Sequence, residues 1–214
     1  MQRLRHPNLV PLLASGEHEG RPWYALERIA GESLEDRLRQ GPLAADQAAR
    51  LVQRLAVALA YVHSCGVLHR DLKPDNVLLR GEEPLLTDFG LALDAEDTER
   101  LSQTGGVLGT PGYWSPEQAL GKKHEQTVAT DVYGLGALLY ACLTGEPPVR
   151  GNGSLMAYLT PEQFTGCPPP RALFPEVPEW LSALCMRCLA FDPRDRPPSA
   201  EAVARALALG PAGI

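Results

Sequence analysis

The strongest constraint on this chain is one octapeptide, His69-Arg-Asp-Leu-Lys-Pro-Asp-Asn76, followed at Asp88 by Asp-Phe-Gly. Two short apolar runs, Val77 to Leu79 and Leu85 to Thr87, lie between these motifs and read as small strands. Asp71, Lys73, Asn76 and Asp88 are thereby placed on loops joined by strands, which gathers two carboxylates, an amide and an ammonium. Any one of these residues could be chance, but their joint spacing makes coincidence a poor explanation.

The rest of the chain supplies a scaffold. Apolar runs at Leu9 to Leu13 and Trp23 to Leu26, separated by Gly16 and Gly20, suggest a hairpin. Ser33 with Asp36 three residues on resembles a capping box opening a helix from Leu34 to Arg39, which Gly41-Pro42 ends. From Ala44 to Ser64, apolar residues at Ala48, Leu51, Val52, Leu55, Leu59 and Val62 keep helical spacing, and Gly66 stands where a C-terminal cap would. Helical patterns return at Asp131 to Leu143, Trp180 to Leu189 and Ala200 to Leu209, with a proline-rich connector from Pro168 to Pro178. The polar stretch from Asp88 to Thr110 is long for a loop without function.

Of the 214 residues, 44% are hydrophobic and 21% charged, enough apolar side chain for one globular domain with a core. A net charge of -6 without a basic run argues against nucleic acid as a partner. The longest unbroken apolar stretch, Leu55 to Val62, is far short of the ~20 residues that span a bilayer, so no membrane segment is expected. The five cysteines form no regular framework, which suits a reducing, cytoplasmic setting. Cys185 and Cys188 are read as helix packing, because further zinc ligands at matching spacing are absent.

The motif residues suit phosphoryl transfer. Mg2+ prefers hard oxygen ligands and keeps sites for water and nucleotide phosphates, so the amide oxygen of Asn76 and the carboxylate of Asp88 suffice as metal ligands. Asp71 is then free to orient a hydroxyl nucleophile and take its proton, while Lys73 neutralises charge on the transferred group.

On these motifs the chain resembles a protein kinase, most closely the eukaryotic-like serine/threonine class of bacteria, from His6 to Leu207. The resemblance implies an α+β, protein-kinase-like fold: a remnant of the N-lobe sheet over residues 1–30, a mainly helical C-lobe over 31–209 and a tail over 210–214. It implies ATP and Mg2+ as cofactors and proteins bearing Ser or Thr as substrates, since lysine two residues after the aspartate is the serine/threonine pattern. Trp23 to Leu34 resembles the hinge, with Leu26 at the gatekeeper place and the backbones of Glu27 and Ile29 meeting adenine. Leu78 would pack beneath the adenine ring. His69 and Phe89 would stack in a hydrophobic spine, and Thr110 would bond Asp71 and Lys73 to seat the incoming hydroxyl. Arg70 is a guanidinium that a phosphorylated loop residue could pair with; Ser102 and Thr104 are the candidate phosphosites and Thr98 a weaker third. Ser115-Pro116-Glu117 stands in place of the family's Ala-Pro-Glu, with Glu117 expected to pair with Arg196. Asp131 would accept backbone hydrogen bonds near Arg70.

The glycine-rich loop, strand lysine and helix glutamate of a complete kinase are not in this sequence; its first lysine is Lys73. The most economical expectation is a sequence shortened at its start. The alternatives are an N-lobe supplied by another chain, with an exposed apolar patch around Leu12, Leu26 and Leu78 favouring association, and a pseudokinase that binds partners without phosphoryl transfer. A small-molecule phosphotransferase is a weaker third reading.

Overall fold

The chain begins with a hairpin whose register is set by its turn. In the computed structural model, which describes residues 4–89, 111–149 and 167–213, β1 (Leu12–His18) pairs antiparallel with β2 (Arg21–Leu26). Glu19 and Gly20 both have positive φ, 51° and 74°, the handedness that a two-residue hairpin turn demands. The first strand therefore lies later than the apolar run Leu9 to Leu13 suggests. Backbone pairing along a two-stranded ribbon recruits the polar residues up to His18, and periodicity does not report that. Leu9 instead bridges in parallel to Leu86; Leu86 N donates to Asn8 O at 2.9 Å and Val10 N to Leu86 O at 2.9 Å.

A second small sheet has the order β3-β4-β5: β3 (Glu32–Ser33), β4 (Val77–Arg80) and β5 (Glu83–Leu86), all antiparallel. Gly31 permits the approach of β3, since a Cβ there would lie 1.8 Å from the Leu79 carbonyl oxygen. β3 was not expected, because two residues carry no period.

Helix α1 (Leu34–Leu38) opens on Ser33, whose side chain accepts from Asp36 N. Helix α2 (Ala45–Ser64) buries Ala48, Val52, Leu55, Leu59 and Val62 of the stripe its spacing predicts, with Leu51 only half-buried, and it buries Ala56 besides. Gly66, with φ of 75°, reverses the chain after it. A single turn, α3 (Pro116–Ala119), precedes α4 (Val128–Thr144). Helix α4 starts three residues before Asp131, because Thr127 and Thr130 form a capping box that a scan for apolar periodicity misses. All residues from Thr130 to Thr144 in α4 are buried, so it is the axis of the core. Helix α5 (Pro170–Leu173) occupies the proline-rich connector, and α6 (Glu179–Cys188) and α7 (Ala200–Leu209) follow. Helix α2 packs on α7 and α4, and α6 packs on α4. Cys185 and Cys188 are buried in that last contact; a Cβ on Gly136 would meet the Cys188 Cβ at 2.5 Å. Among the described residues, no group of His, Cys, Asp and Glu could hold a metal ion by itself, and no helix is long and apolar enough to cross a membrane.

Candidate active site

After Gly66 the chain runs back along α2 into the loop that carries Asp71. Its backbone is anchored by a carboxylate from the first turn of α4: Asp131 Oδ2 accepts from His69 N at 2.8 Å and Oδ1 from Arg70 N at 2.7 Å. His63 Nε2, on α2, meets the same Oδ2 at 2.7 Å. Asp131 is only 1% exposed, so a buried charge is matched by three nitrogen groups rather than by water. Arg70 is held in the left-handed region, φ 64°, which costs a non-glycine residue of order 1–3 kcal/mol and persists only where the surroundings enforce it. Its carbonyl accepts from Gln118 Nε2 at 2.6 Å. Arg70 Nε is buried without a hydrogen-bond partner among the described residues. Leu72 packs directly on α4 at Gly134, where a Cβ would come within 2.7 Å of the Leu72 Cβ.

The Asp71 carboxylate is shared by two neighbours on one oxygen. Lys73 Nζ lies 3.1 Å from Oδ2, and Asn76 Nδ2 donates to Oδ2 at 2.8 Å and to the Asp71 carbonyl at 2.7 Å. With its nitrogen so committed, Asn76 presents Oδ1, which accepts no hydrogen bond among the described residues. Thr87 N donates to Asn76 O at 3.0 Å, so the antiparallel pairing of β4 and β5 brings Asp88 to the same end of the sheet as Asn76. Asp88 is exposed and also has positive φ, 55°. Non-glycine residues with such φ cluster where structure is held for function.

His69 is fully buried and its tautomer follows from its contacts. Nδ1 accepts from Asp71 N at 3.3 Å and Nε2 lies 3.0 Å from Thr87 O, which it can reach only as a donor. Burial lowers the imidazole below its ordinary range, outweighing the nearby carboxylates of Asp131, Asp71 and Asp88. The ring lies 4.8 Å from that of Phe89. The geometry gives His69 a packing and spacing task between the two loops.

Beside this centre, Leu26 ends β2 and Glu27 N donates to Pro11 O at 2.9 Å. The Glu27 carboxylate pairs with Arg80 at 2.7 Å. Leu26, Ile29 and Leu78 are each half-buried, and Leu78 lies on β4 opposite Ser33 and Leu85. Below it, Arg196 binds Glu117 in a fork, 2.8 Å from Nη1 to Oε1 and 2.9 Å from Nη2 to Oε2, with Thr130 Oγ1 donating to the same carboxylate at 2.8 Å. Burial alone would raise the Glu117 carboxyl, but the hydrogen bonds and charge of Arg196 hold it below the usual range. Arg196 also donates to the carbonyls of Ala129, Ala190 and Phe191 and stacks 5.1 Å from the Tyr133 ring centroid. Gly90 and the expected residues Thr98, Ser102, Thr104 and Thr110 lie outside the described residues.

His63 and Gln118 belong to the site as well, although neither is expected from the sequence. No local pattern marks His63, whose partner lies 68 positions away. Gln118 had a signal: Ser115 and Gln118 have capping-box spacing, and the structure contains that box.

The chain matches the protein kinase domain family over residues 1–207. It is 44% identical to the serine/threonine-protein kinase PkaA of Streptomyces coelicolor, over 99% of this chain and 38% of that protein. It is 38% identical to the serine/threonine-protein kinase pkn2 of Myxococcus xanthus, over 97% of this chain and 26% of that protein. The chain thus spans about two fifths or less of these relatives. The solved PknI kinase domain of Mycobacterium tuberculosis superimposes with a TM-score of 0.75 at 27% identity, covering 99% of this chain and 74% of the other. A structure of Rad53 with AMP-PNP does so with a TM-score of 0.77 at 27% identity, covering 95% and 51%.

Proposed function

Since the chain belongs to the protein kinase domain family and has its α+β fold, we propose that it transfers the γ-phosphate of ATP to serine or threonine hydroxyls of proteins. The observation that carries this reading is the Asp71 carboxylate, with Oδ2 held by Lys73 and Asn76 and the backbone around it pinned by Asp131. Oδ1 of Asp71 is left to accept the substrate hydroxyl and take its proton as phosphorus is attacked. Lys73, beside that carboxylate, faces the charge that builds on the transferred group, and Thr110 seats the hydroxyl.

Asn76 Oδ1 and the exposed Asp88 carboxylate form a small set of hard oxygen donors, which fits Mg2+ with its remaining positions taken by water and phosphates. When bound, the ion supplies charge neutralisation between the phosphates. Asn76 orients its oxygen through its own bonds to Asp71. Leu26 and Leu78 offer apolar surface to adenine. The Ile29 amide, which makes no hydrogen bond among the described residues, and the Glu27 carbonyl offer polar recognition. Arg70 pairs with a phosphorylated residue of the segment after Asp88, Ser102 and Thr104 first and Thr98 next. The orphaned Nε supports a further partner for that guanidinium. The reading sets the reaction in the cytoplasm, where ATP is available and free thiols such as these five persist. Nucleic acid is not expected to bind an acidic chain of this kind.

The test is transfer from γ-labelled ATP with Mg2+ to a generic Ser/Thr protein substrate, comparing the polypeptide that carries these 214 residues with its Asp71→Asn variant. Transfer that the variant loses supports the reading. Equal transfer by both, or none from a folded parent, overturns it, and the second result favours a partner-binding pseudokinase. Mass mapping after incubation with ATP that places phosphate only away from Ser102, Thr104 and Thr98 removes the assignment to Arg70.

A further inference from the structure

The Arg70 backbone is gripped on both sides of its Cα. Its N–H is held by Asp131, and its carbonyl by Gln118 Nε2 at 2.6 Å. Gln118 is itself aimed. Its Oε1 accepts from Ser115 N at 3.1 Å and from Ser115 Oγ at 3.1 Å, while Gln118 N donates to Ser115 Oγ at 3.4 Å. These partners decide which way the amide faces, because the opposite orientation would set nitrogen against the Ser115 N–H and oxygen against the Arg70 carbonyl. Ser115 is fully buried, so its hydroxyl is committed to this box and to nothing in solvent.

We propose that Gln118, aimed by Ser115, is a positioning residue for Asp71: it clamps the strained Arg70 peptide, the unit immediately before the catalytic carboxylate, to the first turn of α3. The proposal rests on the kinase reading above and adds a residue to it. It also gives a reason for serine, rather than alanine, ahead of Pro116-Glu117, since alanine would keep the turn but lose the hydroxyl that holds the Gln118 oxygen. Arg70 sits at φ 64°, so a peptide freed at its carbonyl relaxes toward ordinary φ and carries Asp71 with it. The clamp further ties the placement of Asp71 to the seating of α3, the element that follows the long segment after Asp88.

Gln118→Glu isolates the contact, because it keeps an oxygen for the Ser115 N–H and replaces only the donor to Arg70. Its kcat should fall at least tenfold with KM for ATP within twofold of the parent, a split that loss of fold would not produce. Ser115→Ala should lower kcat several-fold and Ser115→Thr restore it. A Gln118→Glu enzyme with kcat within twofold of the parent overturns the proposal. If that variant does not fold, equal kcat in Ser115→Ala and Ser115→Thr overturns it instead. Amide hydrogen exchange across residues 69–72 reads the clamp without activity: Gln118→Glu should speed exchange at Arg70 and Asp71 at least tenfold, and unchanged exchange overturns the clamp. A parent without Asp71-dependent transfer but with this exchange response removes the kinase reading and leaves the clamp standing as a structural device.

Discussion

Replacing Arg196 by methionine should be the most damaging single change below the catalytic loop. The guanidinium is fully enclosed and Glu117 is 3% exposed. Arg196→Met leaves a buried carboxylate with the Thr130 hydroxyl and no counter-charge, and it strips a donor from the carbonyls of Ala129, Ala190 and Phe191. Removing one partner of a buried pair costs about 3–5 kcal/mol, a large share of the 5–15 kcal/mol that holds a typical domain. With a urea m-value of about 2–3 kcal/mol/M, the midpoint should fall by about 1–2.5 M. The double variant Arg196→Met/Glu117→Gln removes the stranded charge and should recover at least about 1 kcal/mol of the loss. The pH dependence has a definite sign. Glu117 is held below its unfolded value of about 4.3, so the pair contributes fully above that pH, and the contribution is lost as pH falls through the lower folded value. The gap between parent and Arg196→Met should therefore narrow in acid. Reversible urea unfolding followed by far-UV circular dichroism at pH 7.5 and at pH 4 measures all of this. A single-variant loss under about 1 kcal/mol, or a double variant less stable than the single, would refute the reasoning.

Gly134→Ala should lower kcat and cost about 1–3 kcal/mol, because its Cβ would meet Leu72 at 2.7 Å and push the loop off α4; kinetics with thermal melts will show whether both fall together. His69 is kept neutral by burial and must take up a proton when unfolded near pH 6.5, so stability should decline as pH drops through about 6.5, a slope that His69→Phe should flatten in urea titrations. Burial pushes the Cys142 and Cys188 thiols up to about 12 and raises Cys185 as well, so a thiol reagent at pH 7.5 should label Cys65 in the native state and those three only after unfolding, as peptide mass mapping can check.

What could be read in the sequence follows a physical division. Helices α2, α6 and α7 were legible because each buries a stripe against a neighbour, and such stripes leave a period. Short apolar runs also located β4 and, two residues late, β5. The start of α4 and the end of β1 were not legible in that way: Thr127 caps through a side-chain hydroxyl, and β1 is extended by backbone bonds to β2 that any residue can make. At the site, residue types that chemistry demands, Asp71, Lys73, Asn76 and Asp88, were visible as a motif. The groups that hold those residues were visible only where local spacing marks them. Asp131, Glu117 and Arg196 came from resemblance, whereas His63 acts on the Asp131 carboxylate and Gln118 on the Arg70 carbonyl, 68 and 48 positions away, and a sequence does not label which distant buried groups need a partner. The left-handed φ at Arg70 was hidden too, since arginine does not favour it; aspartate is enriched there, but nothing around Asp88 in the sequence singles it out among the other aspartates.

A helix without a solvent face has a consequence for transplanting this chemistry. Asp131 belongs to α4, which is enclosed from Thr130 to Thr144, and the loop around Asp71 takes its position from that carboxylate and from the contact at Gly134. Grafting residues 67–76 onto a foreign scaffold would carry the groups proposed to react and leave their origin of coordinates behind. The smallest portable unit is the loop together with its central helix and the helices that sheathe it, while the outer surfaces can be recoded for new partners without disturbing where Asp71 stands.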